Sequence, residues 1–250
     1  MTATRTALVT GASRGIGQAT AQRLASLGFD VIAQHRGDDS ELNPIREVAA
    51  EHQTTVTPVQ ADFSDPGAVE ALLPCLDAAL DGRTVDVAFL NAGIAPFGDF
   101  TQLTESALRD LFQVNTIAPY ALAAGLAEKM TSPGGQVIFT GSALTRYAFP
   151  ALTGYGMSKI ALEYLARNMA AGLGSRGITV NVVAPGVVDT DINAGWLRGN
   201  DEAAAGTRES SALGKIAEAD DIAEIVALLA QSTSQAITGQ VIDTSMGTSL

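Results

Sequence analysis

Tyr155 and Lys159 stand four residues apart in the run Tyr155-Gly156-Met157-Ser158-Lys159, a separation that puts both side chains on one face of a helix. Among four tyrosines and three lysines in 250 residues, chance supplies such a pair only about 0.05 times. An ammonium at about 5 Å, in an effective dielectric near 20, favours the phenolate by roughly 3 kcal/mol, or about two pKa units. A free phenol, at a pKa of about 10, exchanges protons poorly at neutral pH, so the pairing predicts a phenol brought within working range. Ser142 lies thirteen residues upstream, just past the run Gln136–Thr140, where a hydroxyl could hold a reacting oxygen. Reducing a ketone needs a hydride at carbon, a proton at oxygen and support for the developing alkoxide, and these residues could supply the last two. The bland alternative is a solvated helix face with Ser142 capping a turn.

The hydride source is predicted by the N-terminal turn Thr10-Gly11-Ala12-Ser13-Arg14-Gly15-Ile16-Gly17, set between an apolar run and a helical pattern reaching Leu27. Three glycines allow a backbone to approach a pyrophosphate, and the helix N-terminus favours that anion. The spacing is G-x-x-x-G-x-G rather than the familiar G-x-G-x-x-G, so a plain tight turn would read the same. The second strand ends at Gln34-His35-Arg36 without the acid that would bind ribose hydroxyls. Arg36 and Arg14 are candidates to clamp a 2′-phosphate by charge-assisted hydrogen bonds, which predicts NADP(H); two solvated arginines are the alternative. Asp62 and Phe63 follow the third strand, where Asp62 could reach an adenine edge, and Asn91-Ala92-Gly93 closes the fourth with small residues. Taken singly, these are a helix cap and a turn.

The elements that must position these groups are legible as β-branched runs at 7–10, 31–34, 55–59, 85–90, 136–140, 179–183 and 240–243, alternating with Ala- and Leu-rich segments. Nearly continuous apolar strands between helical segments predict an α/β fold, a parallel sheet covered on both faces. The stretch 189–214 breaks the rhythm with mixed Gly, Ala and charged residues and predicts a lid over a site. The rest of residues 1–250 reads as one dinucleotide-binding and catalytic domain, with no linker dividing it. Fifteen Lys and Arg against 27 Asp and Glu give a net charge of −12, which disfavours nucleic acid and anionic membranes as partners. A single cysteine, two unpartnered histidines and no apolar signal or spanning segment predict a cytoplasmic protein without a metal site.

Taken in order, Thr10-Gly11, Asn91-Ala92-Gly93, Asn115, Ser142, Tyr155, Lys159 and Pro185-Gly186 resemble the short-chain dehydrogenase/reductase family, over nearly the whole chain. The nearest likeness is to its 3-oxoacyl-carrier-protein reductase-like members. The resemblance implies a single Rossmann-type doubly wound domain of about seven strands. It implies a catalytic tetrad of Asn115, Ser142, Tyr155 and Lys159, with Lys159 also reaching the nicotinamide ribose. Asn115 would hold a water linking Lys159 to solvent; read from its residues alone it is a buried Asn satisfying a nearby backbone group. Nicotinamide contacts would come from Val188 and Thr190, and Gly11, Ser13, Gly15, Ile16, Gly17 and His35 would line the rest of the cofactor site. Two departures stand out: Leu90 where the family often has Asn, and Thr244-Ser245-Met246-Gly247 where it often has Asp-Gly-Gly.

Leu144, Tyr147, Phe149, Ile192 and Trp196 are the candidate pocket wall, with Ser142 at its floor, and suit a partly apolar small-molecule carbonyl or alcohol. Arg146 and Arg198 could instead meet an anionic group. Small and apolar residues on several faces around 104–130 and 153–173 predict a homodimer or homotetramer. The function that follows is NADPH-dependent ketone reduction. The alternatives are an NAD-dependent alcohol dehydrogenase, or a nucleotide-sensing binding protein of the same fold that has lost turnover.

Overall fold

The computed structural model describes residues 4–250. Seven strands, β1 (Arg5–Val9), β2 (Phe29–His35), β3 (Val56–Gln60), β4 (Val87–Leu90), β5 (Gln136–Thr140), β6 (Thr179–Pro185) and β7 (Val241–Thr244), form one parallel sheet in the order β3-β2-β1-β4-β5-β6-β7. This is the doubly wound sheet expected. Bounds shift by a residue or two because ladder hydrogen bonds, not side chains, set strand ends. Val85, expected inside the fourth strand, instead makes an isolated parallel bridge to Met130.

Alternation along each strand divides the core into two layers. Leu8, Ala88, Leu90, Val137 and Phe139 face one side with Leu72, Leu76, Leu122 and Leu162. Ala7, Val9, Val87, Phe89 and Ile138 face the other with Leu24, Ile45, Ile222 and Val226. The first layer packs on helices α3 (Ala68–Leu80), α5 (Ala118–Leu126) and α6 (Thr153–Leu173). The second packs on α1 (Gly15–Ser26), α2 (Asn43–Glu51) and α9 (Ala219–Gln231). Helix α4 (Glu105–Phe112), capped by the Thr104 hydroxyl accepting from the Ala107 N–H, runs through a π turn at Gln113–Ile117 into α5.

The sheet winds outward from β1 to β3, then restarts at β4 on the other side of β1. A crevice opens at the carboxyl ends of β1 and β4, where the two windings part. Beyond β6 the expected lid folds as two short helices, α7 (Asp191–Leu197) and α8 (Asp201–Glu209). Its base is pinned where the Asp189 N–H donates to the Ala217 carbonyl at 2.8 Å. The Thr244-Ser245-Met246-Gly247 segment packs beneath Gly186, where an added Cβ would lie 3.0 Å from the Ser245 Cβ. Among the described residues, no helix is long and apolar enough to cross a membrane.

Gly17 closes the turn by packing. A Cβ there would stand 2.1 Å from the Gly11 carbonyl oxygen and 2.8 Å from Asn91 Nδ2. The carbonyl belongs to the backbone, and the Asn91 side chain is tied to the Thr10 carbonyl and the Thr140 hydroxyl. Gly17→Ala is expected to cost about 3 kcal/mol or more in unfolding free energy by denaturant titration. Gly206→Ala, in open space on α8, should instead gain up to about 1 kcal/mol. Equal midpoints for the two variants would contradict this packing account.

Candidate active site

The crevice is a cleft of about 310 Å³ that runs from the N-terminus of α1 to Tyr155 and Lys159. At one end the chain leaves β1 through Gly11, at φ +64°, and enters α1 at Gly15, at φ +55°, backbone conformations that a side chain would strain. Arg14 stands at the N-cap without a side-chain cap bond, and no acidic residue occupies the first turn of α1. The first N–H groups of a helix lack partners within it. An uncapped helix end facing a cleft therefore fits a phosphate group.

Buried polar side chains fix this mouth. Gln34 accepts from the Gly11 N–H at 2.9 Å and donates to the Ala61 carbonyl at 2.9 Å, tying the glycine turn to the β2 and β3 ends. The Thr10 hydroxyl accepts from the N–H groups of Asn91, at 2.8 Å, and Ala92, at 3.1 Å. Asn91 in turn donates to the Thr10 carbonyl and accepts from the Thr140 hydroxyl. Leu90, the departure just before it, is an ordinary core residue. Asp62 lines the cleft with its carboxylate accepting from the Ser64 N–H and hydroxyl, which holds its pKa below the usual range.

At the other end, Lys159 is 3% exposed, and its ammonium donates to the Thr140 carbonyl at 2.8 Å. That bond uses one of three donors. The Nζ lies 5.7 Å from the Tyr155 ring centroid. Burial pushes the Tyr155 phenol up to about 12, against a hydrogen bond with Ser142 that lowers it. Burial likewise brings the Lys159 ammonium down to about 8. The expectation of a phenol made easier to ionise is thus reversed: withdrawal from water outweighs the hydrogen bond from Ser142. The phenol is consequently protonated at neutral pH. Ser142, 6% exposed, also accepts from the Leu144 N–H at 3.2 Å.

Asn115 lies in the π turn and is fully buried. Its amide donates to the Ile94 carbonyl (2.8 Å) and the Ser158 hydroxyl (3.1 Å), and its oxygen accepts from the Ile94 N–H (2.9 Å). Both amide protons are committed within the protein, so the side chain anchors the loop after β4. The Ser158 hydroxyl passes the tie to the Tyr155 carbonyl at 2.7 Å.

Of the expected cofactor residues, Gly11, Ser13, Arg14, Gly15, Ile16, Arg36, Asp62, Phe63, Asn91, Ala92, Gly93, Tyr155, Lys159, Pro185, Gly186, Val188 and Thr190 line the cleft, while Gly17 and His35 do not. Gly17 serves packing, and buried His35 lies 3.8 Å from Asp39, off the cleft. Only Ile192 of the five expected pocket-wall side chains reaches the cleft. Trp196 stacks edge-on with Phe97 at 6.3 Å and donates to Asn193, while Tyr147 is half-buried and Phe149 exposed. Arg146 does not greet an anion: it pairs with Asp243 at 2.5 Å and donates to the Thr248 carbonyl, clasping the C-terminus. Arg198 pairs with Asp189 at 2.7 Å and Asp191 at 3.2 Å within the segment 189–214. The sequence reading missed Gln34, Gly37, Glu41 and Thr140 as cleft residues. A Gln in a buried strand was a usable signal, whereas a backbone carbonyl such as that of Thr140 leaves none.

A family model described as enoyl-(acyl carrier protein) reductase matches residues 11–249. The chain is 34% identical over 190 residues to the cyclic-di-GMP-binding biofilm dispersal mediator protein of Escherichia coli, covering 76% of this chain and 75% of that protein. It is 30% identical over 242 residues to the 3-oxoacyl-[acyl-carrier-protein] reductase FabG of Salmonella typhimurium, covering 96% of each. The solved angucycline C-6 ketoreductase LanV with bound NADP is 35% identical, with a TM-score of 0.90 over 98% of this chain and 95% of that one. The chain belongs to the short-chain dehydrogenase/reductase family, a family of NAD(P)-dependent oxidoreductases.

The lowered Lys159 pKa carries a signed consequence for stability. Below pH 8 both folded and unfolded chains hold the proton, and burying it costs about 3 kcal/mol. Between pH 8 and 10.5 only the unfolded chain holds it, so the cost falls as pH rises. Lys159→Met without nucleotide should therefore melt above the parent protein at pH 7, with the gap closing toward pH 10. A lower melting temperature for the variant at pH 7 would contradict this.

Proposed function

We propose that the protein reduces a ketone to a secondary alcohol with NADPH, Tyr155 giving the proton. The observation that carries this reading is a buried ammonium, Lys159, with two donors unspent inside a cleft that also holds a protonated phenol and an uncapped helix end. When bound, the dinucleotide supplies the hydride. The first turn of α1 and Ser13 would hold its pyrophosphate, and Arg36 and Arg14 its 2′-phosphate. Asn91-Ala92-Gly93 would offer it flat backbone, and Val188 and Thr190 would meet the nicotinamide end. Lys159 would spend its free donors on ribose hydroxyls, which fixes the ring against the substrate.

Tyr155 donates its proton to the carbonyl oxygen, and Ser142 holds that oxygen as charge develops. The phenol, protonated at pH 7, can give its proton to a carbonyl oxygen. The closely similar chemistry named for FabG and LanV supports the substrate class, a small carbonyl compound. A second reading, a nucleotide-sensing protein without turnover, draws on the E. coli relative described as cyclic-di-GMP-binding. All four tetrad positions remain filled here, which weighs against it. Exposed Ile117 at the end of the π turn, Tyr120 on α5 and Tyr164 on α6 support a homodimer or homotetramer.

A panel of ketones and alcohols with NADPH and NADH, followed by nicotinamide absorbance, separates these readings. On the best substrate, Tyr155→Phe should lose about 100- to 10,000-fold in kcat while NADPH affinity changes by no more than about twofold. Near-normal turnover in that variant would overturn the mechanism.

A further inference from the structure

The short turn that begins at Ser142 ends at Arg146. The Ser142 hydroxyl accepts from the Leu144 N–H at 3.2 Å, its carbonyl accepts from the Thr145 hydroxyl at 2.9 Å, and the Arg146 N–H closes the turn on the Ala143 carbonyl at 3.0 Å. From there the guanidinium reaches the segment after β7. One terminal nitrogen, Nη2, pairs with Asp243 at 2.5 Å and donates to the Ser245 hydroxyl at 3.3 Å and the Thr248 carbonyl at 3.1 Å. An exposed ion pair alone contributes little. Ser245 and Thr248, however, are buried and form a closed turn: the Thr248 N–H donates to the Ser245 hydroxyl at 3.0 Å, and the Thr248 hydroxyl donates to the Ser245 carbonyl at 2.7 Å. The other carboxylate oxygen of Asp243 accepts from the Ser245 N–H at 2.8 Å. Two further parts of the cleft end rest on the same turn. A Cβ added at Gly186, which lines the cleft, would stand 3.1 Å from the Ser245 carbonyl oxygen and from Thr248 Oγ1. The end of the segment 189–214 is stitched to it as well: the Ala212 and Leu213 N–H groups donate to the Gly247 and Met246 carbonyls, both at 3.2 Å, and the Ser249 N–H donates to the Ser210 carbonyl at 3.1 Å.

We propose that Arg146 is a positioning residue: by gripping Asp243 and the Ser245–Thr248 turn it fixes where the Ser142 hydroxyl stands beside Tyr155, and it makes that C-terminal turn the common anchor of the Ser142 turn, the Gly186 wall and the segment 189–214. The inference rests on the role of Ser142 given above and assigns Arg146 no contact with substrate. Ser142 and Arg146 are the two ends of a single 3-10 turn, so freedom at one end passes to the other. The Ser142 hydroxyl must meet the Tyr155 phenol and a carbonyl oxygen together, and a displacement of about 1 Å from such an arrangement costs a large factor in rate. The C-terminal departure Thr244-Ser245-Met246-Gly247 supplies the hydroxyl, that of Ser245, which Arg146 and the Thr248 N–H both use.

The test pairs hydrogen–deuterium exchange of the full-length protein without nucleotide with steady-state kinetics on NADPH and the best ketone, for Arg146→Met, Arg146→Lys and Asp243→Asn. In Arg146→Met, amide exchange should rise at least about threefold in both 143–147 and 210–213 and stay within about twofold of the parent in β1 and β4. Its kcat should fall about tenfold while the ketone KM and the NADPH Kd stay within about twofold, since Ser142 acts on charge that develops only in the transition state. Asp243→Asn keeps an oxygen for the Ser245 N–H, removes the charge, and should reproduce both effects at smaller size. Because the contacts converge on one terminal nitrogen, Arg146→Lys should return kcat to within about threefold of the parent, and Asp243→Asn added to Arg146→Met should cost nothing further. An unchanged kcat in Arg146→Met, or a fall that lysine does not relieve, would overturn the positioning role. Faster exchange confined to 143–147 would overturn the shared anchor. A parent protein that reduces no ketone would overturn the reduction reading itself, and the exchange measurement would still decide the anchor.

Discussion

A single buried ammonium sets the terms for the rest of the structure. Lys159 sits where water scarcely reaches, with the Thr140 carbonyl as its hydrogen-bond partner in the protein. A charge withdrawn from water is tolerated only with hydrogen bonds around it. One such bond leaves the group under-satisfied, and its pKa falls accordingly. The same deficit makes the ammonium a strong donor to any hydroxyl placed in the cleft. Stability and function therefore pull in opposite directions at this residue, as is common where a site is prepared for a ligand.

Two sets of buried polar side chains hold the cleft around that charge. Gln34, Thr10 and Asn91 lock the carboxyl ends of β1, β2 and β4 to one another. Asn115 locks the loop after β4 to α6 through Ser158. The π turn that carries Asn115 breaks the regular helical ladder where this tie is made, an interruption often found beside functional sites. Each of these side chains is satisfied by partners distant in sequence, so the crevice is rigid by construction rather than by local propensity.

The fold was legible because buried parallel strands are rich in β-branched and apolar residues, and runs such as Gln136–Thr140 and Thr179–Val183 are. The Tyr155–Lys159 pair and the glycine turn were legible because spacing on a helix and a strand-to-helix turn are local facts. What escaped was set by the third dimension. Arg146 meets Asp243 across 97 positions of sequence, which no local pattern encodes, and so its availability to an anion was misjudged. Gly17 belonged to a recognisable glycine cluster, yet its duty is contact with the Gly11 carbonyl and Asn91 rather than with a ligand. The direction of the Tyr155 shift depended on how deeply the phenol is buried, which is visible only once it is placed in the fold.

The most direct measurement is a crystal structure of the protein grown with NADP⁺. The account predicts the pyrophosphate on the first turn of α1, ribose hydroxyls on Lys159, and the hydride-accepting ring carbon facing the open space beside the Tyr155 hydroxyl, where a substrate carbon would approach to about 3–3.5 Å. A dinucleotide bound elsewhere, or bound here with its nicotinamide turned away from Tyr155 and Lys159, would contradict it.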